Sequence, residues 1–202
     1  RDVVEREINP HVDAWEAAEI FPAHELFKKM GDAGFLGINK PQAYGGMGLD
    51  YSYQLAFVEA LGDVNCGGVP MAIGVQTDMA TPALARFGSD ELRKEFLAPA
   101  IAGDYVACIG VSEPGAGSDV VGSMACKAEK KGDRWVINGS KMWITNGPEA
   151  DVAIVYMRTA PREFKSRTMT AFIVEKGTRG FSTAQKLDKL GMRGSNTCEL
   201  VF

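Results

Sequence analysis

The sequence predicts an α+β protein in which an all-helical segment is followed by a small antiparallel β-barrel or sandwich. Two observations support this prediction. Apolar residues recur at helical spacing as far as residue 103, whereas short apolar or alternating runs separated by turn dipeptides fill the remainder. We place a helical domain over residues 1–105 and a β domain over residues 106–202. A chain of 202 residues is long enough for two small domains.

Four or more short helices are predicted in the first half. Val4, Ile8 and Val12 recur at helical spacing, and Pro10 marks a kink or break within that run. Further helices are expected to begin after Pro22, Asp50 and Ser89. Residues 41–48 contain three glycines and a proline, and they are predicted to form a loop.

About seven strands are predicted in the second half. The turn dipeptides between them are Gly132-Asp133, Asn138-Gly139 and Asn146-Gly147. An Asn-Gly pair tolerates the positive φ angles of a tight turn, so these dipeptides predict antiparallel hairpins. Residues 170–177 and 197–202 supply two further strands.

Composition and charge exclude several classes of protein. Apolar residues make up 46% of the chain and charged residues 24%, which is typical of globular proteins and excludes collagen-like, coiled-coil and disordered chains. The net charge of −4 argues against nucleic acid as a partner. The uncharged residues 64–77 are fewer than the roughly 18 of a membrane-spanning helix, so no span is expected.

The cysteines and histidines do not predict a metal site. The four cysteines match neither a zinc pattern nor a disulfide framework, and they are predicted to be reduced, intracellular and buried. Among them, Cys108 lies in an apolar strand and is expected to be an inert thiol. His11 and His24 have no carboxylate or cysteine at ligand spacing.

Residues 110–122, with the sequence GVSEPGAGSDVVG, form a glycine-rich loop after an apolar run. Glycine lets backbone N–H groups approach an anion closely and the Ser118 hydroxyl adds a donor, so the loop could hold a pyrophosphate. The spacing fits neither a Rossmann fingerprint nor a P-loop. A plain turn between strands is the alternative. We interpret Glu113 within this loop as an acceptor for backbone donors rather than a general base.

Residues 141–147, with the sequence KMWITNG, place a flat aromatic and a hydroxyl on one side of a predicted strand. Trp143 and Thr145 are two residues apart and point to the same face. Such a pair could shield a planar heterocycle and hydrogen-bond its edge, and a core tryptophan is the alternative. In the helical half, Met71, Val75 and Met79 are interpreted as core rather than as a substrate-lining face.

Together these segments resemble the acyl-CoA dehydrogenase family. The resemblance rests on the helical first half, on SEPGAGSD at residues 112–119, on WITNG at residues 143–147, and on KLDKLGMRGSNTCEL at residues 186–200. It covers the family's N-terminal helical domain and middle β domain, so the C-terminal helical domain is expected to lie outside this chain. Residues 170–177 and 186–202 look most like the isovaleryl-CoA, short branched-chain type.

The resemblance implies FAD as the cofactor. The residues implied to bind it are Ile109, Val111, Ser112, Gly117, Ser118, Trp143, Ile144 and Thr145. Of these, Ser112 would meet the pyrimidine edge of the flavin, and the Thr145 hydroxyl would lie near N5, the hydride acceptor. Donors at that edge favour the reduced flavin. The residues implied to bind acyl-CoA are Ser118, Ser166 and Arg167, and a guanidinium such as that of Arg167 pairs with phosphate bidentately.

The implied reaction is α,β-dehydrogenation of an acyl-CoA thioester. A carboxylate removes the α proton while the β hydrogen leaves as hydride to the flavin. In the family that carboxylate is a glutamate of the C-terminal domain, so no residue of this chain is assigned as the catalytic base. The resemblance also implies an electron-transfer flavoprotein as partner, a homotetramer or other homo-oligomer, and a location in the mitochondrial matrix in a eukaryote or the cytoplasm otherwise.

Two other functions remain open from the sequence. One is a truncated, non-catalytic relative that binds acyl-CoA or a nucleotide. The other is an acyl-CoA oxidase, which would pass its electrons to oxygen. The motifs quoted above do not separate these functions from a dehydrogenase.

Overall fold

The structure, a computed structural model, describes the backbone of residues 1–202 and every side chain except those of Lys165 and Ser166. The first half is helical, as predicted. Its α-helices are α1 (Val12–Ala18), α2 (Ala23–Asp32), α3 (Tyr51–Leu61), α4 (Gly68–Gly74), α5 (Thr81–Phe87), α6 (Asp90–Leu92) and α7 (Ala98–Ala102). They are joined by π-helical turns at Val4–Ile8, Val75–Ala80 and Arg93–Leu97, and by 3₁₀ turns at Asn9–His11 and Gln42–Tyr44.

Local sequence explains where these helices begin. Pro10 lies in the 3₁₀ turn before α1, which confirms the predicted break. The Asp50 carboxylate accepts the Ser52 N–H at the start of α3, and the Ser89 hydroxyl accepts the Leu92 N–H at the start of α6. Residues 41–48 form the predicted loop, apart from one 3₁₀ turn.

The β domain contains eight strands and one short helix, α8 (Val120–Ser123). The strands are β1 (Ala107–Gly110), β2 (Lys127–Lys131), β3 (Arg134–Asn138), β4 (Ser140–Thr145), β5 (Val152–Arg158), β6 (Met169–Glu175), β7 (Ser182–Lys186) and β8 (Thr197–Val201). A 3₁₀ turn at Arg162–Thr168 precedes β6. A five-stranded sheet has the order β1-β5-β2-β3 with β6 also on β5, and a three-stranded sheet has the order β4-β8-β7.

Strand β5 is buried on both faces and joins the two domains. On one side Ala153, Val155 and Met157 pack with residues of β4 and β8 in the core between the sheets. On the other side Val152 and Ile154 pack against helices α5 and α7 of the first domain. A near-continuous apolar run is the pattern expected of a strand covered on both faces.

The predicted helical domain followed by a β domain is confirmed, with two differences of detail. In the described chain the two sheets do not close into a barrel, and β1 pairs with β5 in parallel rather than antiparallel. Gly132-Asp133 does form the predicted hairpin, between β2 and β3. Asn138-Gly139 and Asn146-Gly147 instead connect strands that belong to different sheets, so the hairpins predicted there are wrong.

Buried side chains of the helical domain bond directly to the backbone of β1. The fully buried Gln76 side chain accepts the Ala107 N–H at 2.7 Å and donates to the carbonyls of Ala100 and Tyr105. From the β domain, the Asn146 amide donates to the Ala72 carbonyl at 3.0 Å. These bonds fix the edge of β1 against α4 and the π-helical turn that follows it.

The described residues include no helix that combines the length and the apolarity needed to cross a membrane. They also include no group of three or more His, Cys, Asp or Glu side chains placed to hold a metal ion. The four cysteines are free thiols, and burial raises the pKa of Cys108 well above its usual range, as expected for an inert thiol.

Candidate functional site

A cavity of about 300 Å³ lies where the helical domain meets β1 and β4. It brings together six of the predicted site residues, and three apolar residues of the helical domain face them. The lining residues are Met71, Val75, Met79, Ile109, Val111, Ser112, Met142, Trp143, Ile144 and Thr145. Both domains therefore contribute residues to the cavity.

A bulge in β4 presents Trp143 to this cavity. Strand β4 pairs with β8 up to Lys141, and the pairing resumes at Ile144 with a shifted register. Trp143, within the bulge, has a φ of 62°, which is rare for a bulky residue. Its side chain is 56% exposed, so the alternative of a core tryptophan is wrong. Bulges of this kind re-aim side chains next to functional sites.

Two hydroxyl groups at the cavity are available for hydrogen bonding to a ligand. Ser112 and Thr145 are half-buried, and neither hydroxyl forms a hydrogen bond with another of the described residues. The Ser112 carbonyl accepts the Met142 N–H at 2.9 Å, which ties the glycine-rich loop to the bulge. The cavity thus combines an exposed indole with two hydroxyls that remain available to a ligand.

The edge of β1 that does not pair with β5 contributes backbone groups to the wall of the cavity. Ala107 uses its N–H for Gln76 and its carbonyl for Asn146, so its peptide groups point away from β5. Successive residues of a strand alternate the direction of their peptide groups. The peptide groups of Ile109 therefore face the same edge as those of Ala107, towards the cavity rather than towards the sheet.

A buried ion pair supports this wall from behind. The Lys141 Nζ lies 2.9 Å from Glu113 Oε1 and donates to the Val111 carbonyl at 3.1 Å. The Lys141 side chain is fully buried. The Glu113 carboxylate also accepts the backbone N–H groups of Ala125 and Cys126, at 2.7 and 2.9 Å. The expectation that Glu113 binds backbone donors is confirmed.

These contacts also set the charge state of Glu113. Burial alone would raise its pKa, but the hydrogen bonds from Lys141 and the two backbone amides act in the opposite direction and together outweigh it. The pKa of Glu113 therefore lies below its usual value, and the carboxylate stays ionised. It is committed to holding the loop and is not free to accept a proton from a ligand.

The tip of the glycine-rich loop lies outside the cavity lining. Gly117 and Ser118 are exposed, and a Cβ added at Gly117 would have no atom within 4 Å. Reciprocal backbone bonds between Glu113 and Ala116 close the turn. The loop is thus a tight turn with an open outer face, which leaves both predicted interpretations of it compatible with the structure.

Arg167 is exposed in the 3₁₀ turn Arg162–Thr168. The same turn reaches the loop region, because Arg162 bonds the Met124 carbonyl at 3.4 Å just after α8. The side chain of Ser166 falls outside the described residues, so its predicted contact with acyl-CoA stays a prediction. Arg167 is not among the residues that line the cavity.

The sequence interpretation missed the methionines of the helical domain. Val75 is buried, as predicted, but Met71 and Met79 are 39% and 44% exposed and line the cavity. Their core assignment is wrong. Helical spacing shows that three residues share a face, but it does not show whether that face meets other helices or an opening between domains. The π-helical turn Val75–Ala80 is a further local signal of function that periodicity does not reveal.

A second, larger groove adjoins the cavity. It has a volume of about 590 Å³, lies between α3 and α4, and shares Met71 and Met79 with the cavity. Most of its lining is apolar, including Val58, Leu61 and Pro70. The two openings are therefore neighbours that meet at these methionines. The cavity contributes the hydroxyls and the indole, and the groove contributes mostly apolar walls.

Comparison with known families finds matches along nearly the whole chain. The family model described as acyl-CoA dehydrogenase, N-terminal domain, matches residues 1–104. The model described as acyl-CoA dehydrogenase, middle domain, matches residues 108–202.

Individual proteins are similar to the chain in sequence and in structure. The mitochondrial isovaleryl-CoA dehydrogenase of Pongo abelii is 49% identical over 179 residues, which cover 88% of this chain and 42% of that protein. A glutaryl-CoA dehydrogenase from Mycobacterium smegmatis, solved in complex with FADH2, is 36% identical with a TM-score of 0.86 and matches 99% of this chain and 49% of its own. A structure described as the electron transferring flavoprotein of Acidaminococcus fermentans is also 36% identical, with a TM-score of 0.92. That match covers 100% of this chain and 52% of the other. The chain thus spans about half the length of these relatives.

Proposed function

Because this chain belongs to the acyl-CoA dehydrogenase family, we propose that its cavity binds the flavin ring of FAD and that the protein carrying it oxidises acyl-CoA thioesters. The observation that carries the proposal is the exposed Trp143 on its bulge, beside two hydroxyls that have no partner among the described residues. A planar aromatic cofactor would satisfy all three groups at once.

The residues present fit such a ring. The Trp143 indole would lie along it, with Ile144 in the floor of the cavity. The hydroxyls of Ser112 and Thr145 would donate hydrogen bonds to its polar edge, and Ile109 and Val111 line the same cavity. Donors held rigidly by the Lys141–Glu113 pair need no reorganisation when negative charge develops on the bound group. This arrangement would favour the reduced cofactor.

The outer face of the glycine-rich loop is proposed to contact the pyrophosphate of FAD. Gly117 and Ser118 are exposed and leave open space beyond the turn, so an anion could approach their backbone closely. Arg167 is proposed to pair with a phosphate of coenzyme A through two of its three guanidinium nitrogens. Ser166 is proposed to act with it, as the family resemblance implies.

The proposed reaction forms a double bond between the α and β carbons of the acyl group. A base takes the α hydrogen as a proton, and the electron pair of that C–H bond becomes the new π bond. FAD, when bound, supplies the acceptor that takes the β hydrogen with its electron pair. Glu113 is already committed to Lys141 and two backbone amides, so we propose a base from another part of the protein.

The substrate class is proposed to be a short or branched acyl-CoA. The resemblance of residues 186–202 to the isovaleryl type and the name of the Pongo abelii relative support this choice. That relative is mitochondrial, which supports a mitochondrial location if the source is a eukaryote. An electron-transfer flavoprotein is the proposed electron acceptor, and assembly as a homotetramer is proposed from the family resemblance.

The test uses the full-length protein, purified with added FAD. We expect a yellow protein whose flavin absorbance bleaches under anaerobic conditions when a branched five-carbon acyl-CoA is added. Slow oxygen consumption and fast reduction of an electron-transfer flavoprotein are expected, whereas rapid oxygen consumption would indicate an oxidase. A folded protein that binds acyl-CoA but not FAD would overturn the proposal in favour of a non-catalytic binder.

A further inference from the structure

The apolar groove beside the cavity contains a single charged residue among its described lining residues, Asp78. The groove adjoins the cavity at Met71 and Met79, which line both. An acyl chain that begins at the proposed flavin and extends past the two methionines would therefore enter this groove. Its walls suit hydrocarbon, and its one ionic group is an anion.

The Asp78 carboxylate is held in a fixed position. Its Oδ2 accepts the amide N–H of Gln54 at 3.0 Å and lies 2.7 Å from the Thr77 hydroxyl. Gln54 and Thr77 are themselves buried, so this support is rigid. Both hydrogen bonds end on Oδ2, and within the described residues Oδ1 accepts none. One carboxylate oxygen is thus left for whatever occupies the groove.

A buried cation, Lys40, lies close enough to Asp78 for the two charges to attract each other. Lys40 is 3% exposed, and its Nζ bonds the Asn39 side chain and the Thr77 carbonyl, both at 2.7 Å. Lys40 does not line the groove, and within the described residues its ammonium group makes no hydrogen bond to Asp78. Among the described lining residues, the charge that a ligand meets is that of Asp78.

We infer that Asp78 makes the acyl-binding groove selective for uncharged acyl chains and against acyl-CoA substrates whose chain ends in a carboxylate. The inference rests on the proposed function. A second carboxylate would share the groove with Asp78, and the described lining residues include no cation with which it could pair. Like charges placed together in an interface are strongly unfavourable. A methyl-terminated chain meets only apolar walls and avoids this repulsion.

The test measures binding by redox-inert thioether analogues of acyl-CoA, so it does not depend on turnover. One analogue carries a branched five-carbon chain, and the other has the same chain with a terminal methyl replaced by a carboxylate. Calorimetry on the FAD-loaded full-length protein gives both dissociation constants. We expect the neutral analogue to bind about a hundredfold more tightly than the charged one.

The substitution Asp78→Asn removes the charge but keeps an oxygen that can accept from Gln54 and Thr77. It is expected to reduce the affinity ratio between the two analogues at least about tenfold, through tighter binding of the charged analogue. Asp78→Ser serves as a second variant if the asparagine disturbs folding. Glu59→Gln is the matched control, because it removes a charge from α3 at an exposed position that does not line the groove, and it should leave the ratio within about twofold.

An unchanged ratio in both folded Asp78 variants, or an equal change after Glu59→Gln, would overturn the inference and leave the proposed function standing. Failure of both analogues to bind the wild-type protein would count instead against the proposed function, and the inference would fall with it.

Discussion

Lys141 and Glu113 form an ion pair behind the candidate cavity, with 2.9 Å between Nζ and Oε1 and less than a tenth of either side chain exposed. The pair links β4, which carries Trp143, to the loop that carries Ser112. Because Lys141 also donates to the Val111 carbonyl, one ammonium group holds two walls of the site together. Isolated charges are costly to bury, so each partner depends on the other.

The substitution Lys141→Met should therefore destabilise the protein by about 3–5 kcal/mol, because it leaves the Glu113 charge buried without its ionic partner. Denaturant unfolding measures this change. The matched control is Lys127→Met, which breaks the exposed Lys127–Glu129 pair of 2.7 Å and should cost less than about 1 kcal/mol. Comparable small losses in both variants would contradict the role assigned to the buried pair. The double variant Lys141→Met/Glu113→Gln should recover part of the loss, since no charge then remains unpaired.

The same pair predicts a dependence of stability on pH. The pKa of Glu113 in the folded protein lies below its usual value of 4.5, so the stability that its charge contributes is present above that value and is lost as the pH falls through the folded pKa. The difference in unfolding free energy between wild type and Glu113→Gln should be constant above about pH 5.5 and shrink steadily under more acidic conditions. A difference that grows on acidification would show that the carboxyl is protonated in the folded protein.

The order of helices and the positions of most strands could be predicted because hydrophobic periodicity and capping are local. The partners of the strands could not. An Asn-Gly pair permits positive φ, yet Asn138-Gly139 uses this freedom to cross between sheets rather than to form a hairpin. Which strand lies beside which depends on packing between distant segments, and no dipeptide encodes it.

The candidate site was predictable in its residues but not in its geometry. The resemblance named Ser112, Trp143 and Thr145, and the structure brings them to one cavity, although their roles stay predictions. Strand alternation does not foresee the bulge at Trp143, because the shifted register arises from pairing with β8. The burial of Lys141 could not be predicted either, because it depends on an ion pair with Glu113, which lies 28 residues earlier in the sequence.

Gly139 should resist substitution because of close packing at the crossing between the sheets. Its φ is 139°, and an added Cβ would lie 2.7–2.8 Å from three atoms of Cys126. Gly139→Ala is expected to destabilise the protein by about 2–4 kcal/mol, through backbone strain together with overpacking. Gly132→Ala is the control, since Gly132 also has a positive φ of 66° but an added Cβ there meets no atom within 4 Å. It should cost roughly 1 kcal/mol, and equal costs at the two positions would show that the contact with Cys126 is unimportant.

Substitution of Trp143 is expected to weaken cofactor binding without lowering the stability of the fold. Its φ of 62° is unfavourable for a side-chain-bearing residue by roughly 1–2 kcal/mol, and the exposed indole returns little packing energy. Trp143→Gly is therefore expected to leave unfolding stability unchanged or raise it, while weakening FAD binding at least about tenfold through loss of the aromatic surface. The control Trp135→Gly removes another tryptophan, 42% exposed on β3 and edge-on to Phe172. It should lower stability without changing the dissociation constant of FAD measured by fluorescence. If Trp143→Gly destabilised the protein and kept wild-type affinity for FAD, the bulge would be a structural feature and the indole no part of the cofactor site.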